Sequence, residues 1–207
     1  MSKKSFTTKS LNIPYPKADP HKALQMPIYE AVAFEFDSAE DISANFKGEL
    51  PAHVYSRTGN PTVEYLEHKI RTLTDSHVVL AMSSGMAAIS NTLLNLCSNG
   101  DNIISNKNLF GHTYSLFTSN LPAMGIETRF ADFENLEALE KLIDQNTRAI
   151  YFETVTNPQL DIADIEMLSR VAKKHGLVLV ADSTITPPNV FSGGKFGVNI
   201  EVMSTTK

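Results

Sequence analysis

The sequence has 207 residues, 42% hydrophobic and 20% charged, with no Trp, which is enough apolar material for a core and excludes a disordered chain. A net charge of -5 leaves no basic footprint for nucleic acid or an anionic membrane. The single cysteine, Cys97, excludes an internal disulfide and fits a reducing compartment.

No apolar run approaches membrane-spanning length, and no hydrophobic segment of a signal peptide follows the basic Met1-Ser2-Lys3-Lys4-Ser5. A cytoplasmic protein is therefore expected. Residues 1–36 lack periodicity and contain Pro14, Pro16, Pro20 and Pro27, so they read as an extended arm of the kind that lies across a neighbouring subunit. Ser38, with Glu40 and Asp41 behind it, opens a helix that stops at Gly48. After His53-Val54-Tyr55-Ser56-Arg57-Thr58-Gly59, Asn60 as N-cap and Pro61 as first helical residue start a helix reaching about Leu73.

From there strands and helices alternate. The short apolar run His77-Val78-Val79-Leu80-Ala81 predicts a strand buried on both faces. Ser83-Ser84-Gly85 follows it, then a helix with Met86, Ile89, Leu93 and Leu96 on one stripe. Further strands are predicted over 101–104, 128–131, 149–152, 178–181 and 199–202. Helices are predicted over 111–121, across Leu136, Leu139, Leu142 and Ile143, and from an Asp161 cap to Gly176. Such alternation means βαβ units, right-handed crossovers and a mostly parallel sheet flanked by helices. Ligands of a parallel sheet bind beyond the carboxyl ends of its strands. The segments to inspect are therefore Ser83-Ser84-Gly85, residues 153–157, Asp182, and Ser204-Thr205-Thr206-Lys207.

Each segment has a chemical reading and an ordinary one. Ser84, Gly85 and Met86 open a helix whose free N–H groups and dipole suit a phosphate, or they form a plain serine cap. Asp182, delivered by the apolar Val178-Leu179-Val180-Ala181, is costly to bury ionised without a partner. A protonated pyridine nitrogen is one such partner; capping the next turn or pairing with an Arg are others. Lys207 behind three hydroxyl residues suits a Schiff-base lysine, or a solvated one. Tyr55 and Arg57 are spaced to reach one phosphate together, or are a surface pair. Phe110 before Gly111 can stack on a flat ring or belong to the core. The six histidines show no metal-ligand spacing, and Cys97 reads as a buried spectator.

Taken together, Tyr55-Ser56-Arg57-x-x-Asn60-Pro61-Thr62, Ser84-Gly85-Met86-Ala87-Ala88-Ile89, Glu153 through Asn157-Pro158, and Asp182 with Ser204-Thr205-Thr206-Lys207 resemble the Cys/Met-metabolism family of pyridoxal-phosphate enzymes. This family includes cystathionine γ-synthases and lyases, methionine γ-lyases and O-acetylhomoserine sulfhydrylases. The resemblance implies a fold-type I, aminotransferase-like large domain, with residues 1–60 as arm and short helix and 61–207 as the first part of that domain. It implies that Lys207 holds pyridoxal 5'-phosphate as a Schiff base and shuttles protons, and that Asp182 pairs with the ring nitrogen. Ser84, Gly85, Met86, Ser204 and Thr206 would bind the phosphate, Phe110 would stack on the ring, and Asn157 and Thr184 would line the same site. Tyr55 and Arg57 would reach the active site of a neighbouring subunit in a homodimer or homotetramer, Tyr55 with a catalytic part. No nucleic acid, membrane or metal is implied.

Three positions depart from the family pattern. Phe110 stands where a Tyr is usual, which removes a hydroxyl from the stacking position; His112 replaces a small residue; and Met203 replaces a His. The expected reaction is γ-replacement on an O-acylated homoserine with sulfide or a thiol. Methionine γ-lyase and cystathionine γ-lyase or γ-synthase chemistry are alternatives, and a non-covalent nucleotide- or phosphate-binding domain is the alternative of another class. Family members continue for about as long again past the lysine, so the chain is expected to be part of a longer polypeptide with an unfinished sheet.

Overall fold

The computed structural model describes residues 5–15, 19 and 21–207. The basic residues 1–4 and Pro16 and Pro20 of the arm lie outside them. The chain divides into two compact units, Met1–Ala81 and Met82–Lys207.

In the first unit the expected extended arm contains a helix, α1 (Phe6–Leu11), because the Ser5 side chain caps it by accepting from the Thr8 N–H. The arm then pairs with the segment around Tyr55. Phe34 N–H donates to the Val54 carbonyl at 3.0 Å and Ser56 N–H to the Val32 carbonyl at 2.9 Å. α2 (Ala39–Phe46) starts at its Ser38 cap as expected, and α3 (Pro61–Thr74) starts at Asn60 with Pro61 in its first turn. Asn60 is nearly buried and fully used. Its Oδ1 accepts from Thr62 N–H at 2.9 Å, and its Nδ2 donates to the Tyr29 carbonyl at 3.0 Å and to Ser56 Oγ at 2.9 Å.

The strand expected at 77–81 does not form. Val78 and Leu80 are 69% and 67% exposed, and the Ala81 N–H donates to a Glu67 carboxylate oxygen at 2.7 Å in place of a neighbouring strand. An apolar β-branched run becomes a strand only where a ladder partner exists, and among the described residues this one has none.

The second unit is one parallel sheet with helices on both faces. In chain order it comprises α4 (Gly85–Leu96), β1 (Asn102–Ser105), α5 (Gly111–Ser115), a π-helical turn (Leu116–Asn120) running into α6 (Leu121–Ala123), β2 (Glu127–Phe130), α7 (Leu136–Glu140), β3 (Thr147–Glu153), α8 (Ile165–His175), β4 (Val178–Asp182) and β5 (Ile200–Val202). The strand order is β2-β1-β3-β4-β5 and every pairing is parallel. Successive strand residues feed opposite faces. Ile103, Ala149, Tyr151 and Val180 pack with Ile89, Leu93 and Phe117 on one side; Ile104, Ile150, Phe152, Leu179 and Ala181 pack with Leu139, Leu168 and Val171 on the other. β3 buries Ile150, Tyr151 and Phe152 completely, and at roughly 2 kcal/mol per side chain it is the sheet's main anchor.

Two helix boundaries differ from expectation. α7 stops at Glu140, two residues short of Leu142 and three short of Ile143, although both side chains still pack against the core. α8 is capped by Asp164, whose side chain accepts from Met167 N–H, and not by Asp161. Asp161 is instead locked into the preceding loop, where its N–H donates to Thr156 Oγ1 at 2.9 Å and its carboxylate accepts from Asn108 Nδ2 at 2.9 Å. The helix ends on Gly176, at φ 67°, a left-handed cap that glycine adopts without strain.

At the amino ends of the strands, Asp144 ties three of them together. Its carboxylate accepts from Arg129 at 2.7 Å, from Asn102 at 3.0 Å and from Asn146 N–H at 2.8 Å. These bonds, Arg129 first, hold its pKa well below its ordinary 3.8. A depressed carboxylate pKa adds stability above the ordinary value that disappears on acidification. Asp144→Asn is accordingly expected to lower the thermal midpoint near neutral pH, with the gap from wild type narrowing below about pH 4. A gap that stays constant down to about pH 3 would show that Asp144 plays no such part.

Candidate cofactor site

The carboxyl ends of β3, β4 and β5 lie in one row because their register pairs Glu153 with Asp182 and Asp182 with Val202. Side chains at paired positions of parallel strands share a face, here the face that carries α4. Asp182 is half-buried at the end of β4. Its Oδ2 accepts from the Tyr151 hydroxyl at 3.2 Å and its Oδ1 from Thr184 N–H at 2.9 Å. Its backbone carbonyl accepts from Thr154 N–H at 2.9 Å. The carboxylate is thus oriented by neutral donors, and it makes no salt bridge among the described residues.

Ser84 spends its hydroxyl on capping α4, accepting from Ala87 N–H at 3.0 Å. That leaves the N–H groups of the first turn, Gly85 and Met86, without intrahelical acceptors at the positive end of a 12-residue helix. The end of β5 closes over this turn. A Cβ on Gly85 would stand 2.8 Å from Ser204 Cβ and 3.3 Å from Ser204 Cα. Glycine is therefore required at 85 by the close approach of Ser204, not by its backbone angles. The Ser204 backbone is in turn held from β4, its N–H donating to Thr184 Oγ1 at 2.9 Å. Thr184, expected among the cofactor contacts, acts here by locating Ser204. Met86 is fixed from α5, where buried Thr113 points its hydroxyl at the Met86 sulfur, 3.9 Å away.

Phe110, 41% exposed, is the N-cap of α5, and its ring lies 5.2 Å from that of His112. Asn157 is exposed in the loop after β3. Both are joined through a residue that the sequence reading left out of the site, Glu153. Thr206 and Lys207 are exposed in the turn after β5, where Thr206 N–H reaches Ser204 Oγ at 3.4 Å. Lys207 makes no hydrogen bond or ion pair with Asp182 or Ser204 among the described residues. Tyr55 and Arg57 belong to the first unit, where both are exposed and the guanidinium stacks over the ring at 4.6 Å. Cys97, at the end of α4, is buried, and burial pushes its thiol up to about 11, so it stays protonated and unreactive.

An anion cradle of free N–H groups beside a serine hydroxyl, and a neutral-bonded carboxylate on the adjacent strand of the same edge, match a ligand with a phosphate and a basic ring nitrogen. The sequence model of the Cys/Met metabolism PLP-dependent enzymes matches residues 7–207. The chain belongs to this Cys/Met-metabolism family of pyridoxal-phosphate-dependent enzymes.

Family relatives cover most of the chain. It is 41% identical over 185 residues to an L-methionine gamma-lyase of Fusobacterium nucleatum subsp. nucleatum, a match covering 89% of this chain and 47% of the relative. Among solved structures, it superposes with TM-score 0.93 and 36% identity on a putative O-acetylhomoserine (thiol)-lyase from Campylobacter jejuni that carries N'-pyridoxyl-lysine-5'-monophosphate, covering 99% of this chain and 50% of that one. It is 47% identical, with TM-score 0.68, to the O-acetylhomoserine sulfhydrylase of the methionine biosynthetic pathway of Wolinella succinogenes, over 70% of this chain and 41% of that one. The chain spans about half the length of the relatives it matches. The family's cofactor is pyridoxal 5'-phosphate, and the cradle between α4 and Ser204 fits its phosphate.

Because Ser204 backbone lies against Gly85, Gly85→Ala must push the two segments apart. Its affinity for pyridoxal phosphate, followed by fluorescence titration, is expected to fall by about tenfold or more, the order of losing one or two charge-assisted hydrogen bonds. Wild-type affinity in Gly85→Ala would remove this turn from the site.

Proposed function

We propose that the protein carries out γ-replacement on an O-acylated homoserine, with sulfide or a thiol as the incoming nucleophile. The observation that carries this reading is the convergence of the α4 first turn, Ser204 and Asp182 at one edge of the sheet. The two solved structures named for O-acetylhomoserine chemistry support the choice of substrate. Bound pyridoxal phosphate supplies an electron sink that stabilises negative charge at the substrate Cα.

The chain's own residues divide the work. The N–H groups of Gly85 and Met86, with the hydroxyls of Ser204 and Thr206, grip the phosphate and fix the position of the ring. Asp182, held by Tyr151 and Thr184, keeps a proton on the ring nitrogen, and with it the ring's electron demand. Phe110 covers one ring face and excludes water from it, and Asn157 lines the neighbouring edge. The Lys207 amine would hold the cofactor covalently and, once free, would take the Cα proton and pass protons at Cβ. The acyloxy group leaves Cγ as a carboxylate and the sulfur nucleophile takes its place. Tyr55 and Arg57 are assigned to the phosphate site of a second copy, in a homodimer or homotetramer. Phe110 has no hydroxyl, so the departing acyl group receives no proton from this position; a carboxylate leaves without one.

Methionine γ-lyase activity is the second reading, favoured by the Fusobacterium nucleatum relative. The test begins with the full-length protein, which should be yellow, be bleached by borohydride and lose its colour in Lys207→Ala. Turnover of O-acetylhomoserine with sulfide should exceed release of methanethiol from methionine by about tenfold or more, a difference of about 1.4 kcal/mol in barrier. The reverse ranking would favour the lyase, and a protein that stays colourless with added pyridoxal phosphate would end both readings.

A further inference from the structure

Glu153 is a buried carboxyl at the carboxyl edge of the sheet with no part in the proposed reaction. It is 5% exposed, lies beside a second carboxylate, Asp182, in the strand register, and forms no salt bridge among the described residues. A buried carboxyl without a cation is costly, and a glutamine of the same shape would avoid the charge. What a glutamine cannot do is accept on both sides. Glu153 Oε1 accepts from Phe110 N–H at 2.6 Å, and its Oε2 accepts from Asn157 N–H at 3.2 Å. Among the described residues neither donor has another backbone partner. An amide would turn an NH2 towards one of them and leave a buried donor facing a donor.

We propose that Glu153 is the positioning residue of the ring seat: one carboxylate clamps the backbones of Phe110 and Asn157 and sets the distance between the stacking aromatic and the edge-lining carboxamide. This rests on the proposed pyridoxal-phosphate reading. The two residues lie on separate loops, one opening α5 and the other following β3; the Asn108–Asp161 hydrogen bond also links these loops, but among the described residues only Glu153 bonds the backbones of both Phe110 and Asn157. Glu153 touches neither substrate nor cofactor; it acts through the loops it holds. Burial, and then the nearby Asp182, push its pKa up to about 7, while the two N–H donors oppose the shift. The site therefore retains a carboxylate under strain that a purely structural position would have no reason to keep.

The test uses the full-length holoenzyme and its Glu153→Gln variant. The variant should keep wild-type far-UV circular dichroism, lose about tenfold in pyridoxal-phosphate affinity by fluorescence titration, and change the sign or intensity of the visible circular dichroism that reports ring orientation. Wild-type affinity and visible dichroism in a folded variant would overturn the proposal. Should the variant fail to fold, amide hydrogen exchange on the wild type decides. The Phe110 N–H should exchange at least about tenfold more slowly than the Gly111 N–H, which has no acceptor among the described residues, and equal rates would overturn the clamp. A yellow wild type with an unaltered variant removes only this inference, whereas a colourless wild type removes the proposed function along with it.

Discussion

The parallel register of β3, β4 and β5 is the constraint on which the rest of the second unit depends. It sets Glu153, Asp182 and Val202 side by side at the sheet's carboxyl edge, so three chain segments distant in sequence leave the core at one place. A slip of one residue in β4 would turn Asp182 to the opposite face, among Leu168 and Val171, and bury its charge where no donor waits. The hydrophobic alternation that fills both faces therefore also aims the polar residues. Packing and chemistry are set by one geometric rule.

Around that edge the polar groups are arranged in a chain of local supports. Thr184 holds both Asp182 and Ser204, and Ser204 lies against Gly85, which opens α4. Tyr151 reaches Asp182 from within the core, and its own hydroxyl is pushed well above its ordinary pKa by burial and then by that carboxylate, so it stays a donor. Two carboxylates share the edge but are treated differently. Both face donors on both oxygens, but Asp182 is half-exposed, whereas Glu153 is buried and its pKa is pushed up to about 7. Environment rather than residue type separates their roles.

The alternation of helices and strands beyond residue 84, their caps at Ser38, Asn60, Ser84 and Gly176, and, to within a residue, the ends of the three strands that lead to Asn157, Asp182 and Ser204 were legible from residue types alone. Those signals are local: an N-cap side chain reaches only two or three residues, and a strand's two-faced burial shows in four or five. The failures share the opposite property. Residues 77–81 have the composition of a strand but no ladder partner. Asp161 has the composition of a cap, yet its groups are taken by Thr156 and Asn108. Glu153 stood inside a recognised motif and was passed over, because its partners, Phe110 and Asn157, meet it only through their backbones.

The sequence by itself determined which chemistry the chain carries: an acid at one strand end, a capped and glycine-bearing helix start, hydroxyls and a lysine at another strand end. Residue type and order are enough for that, since a carboxylate, a free helix N-terminus and an amine keep their chemistry in any fold. The tertiary structure alone decided how these groups support one another. That Gly85 is needed for Ser204, that Thr184 locates a backbone, and that Glu153 reaches Phe110 in another loop all follow from contacts between residues 20 to 119 apart along the numbering. No local pattern encodes such distances; they exist only once the sheet has closed its register.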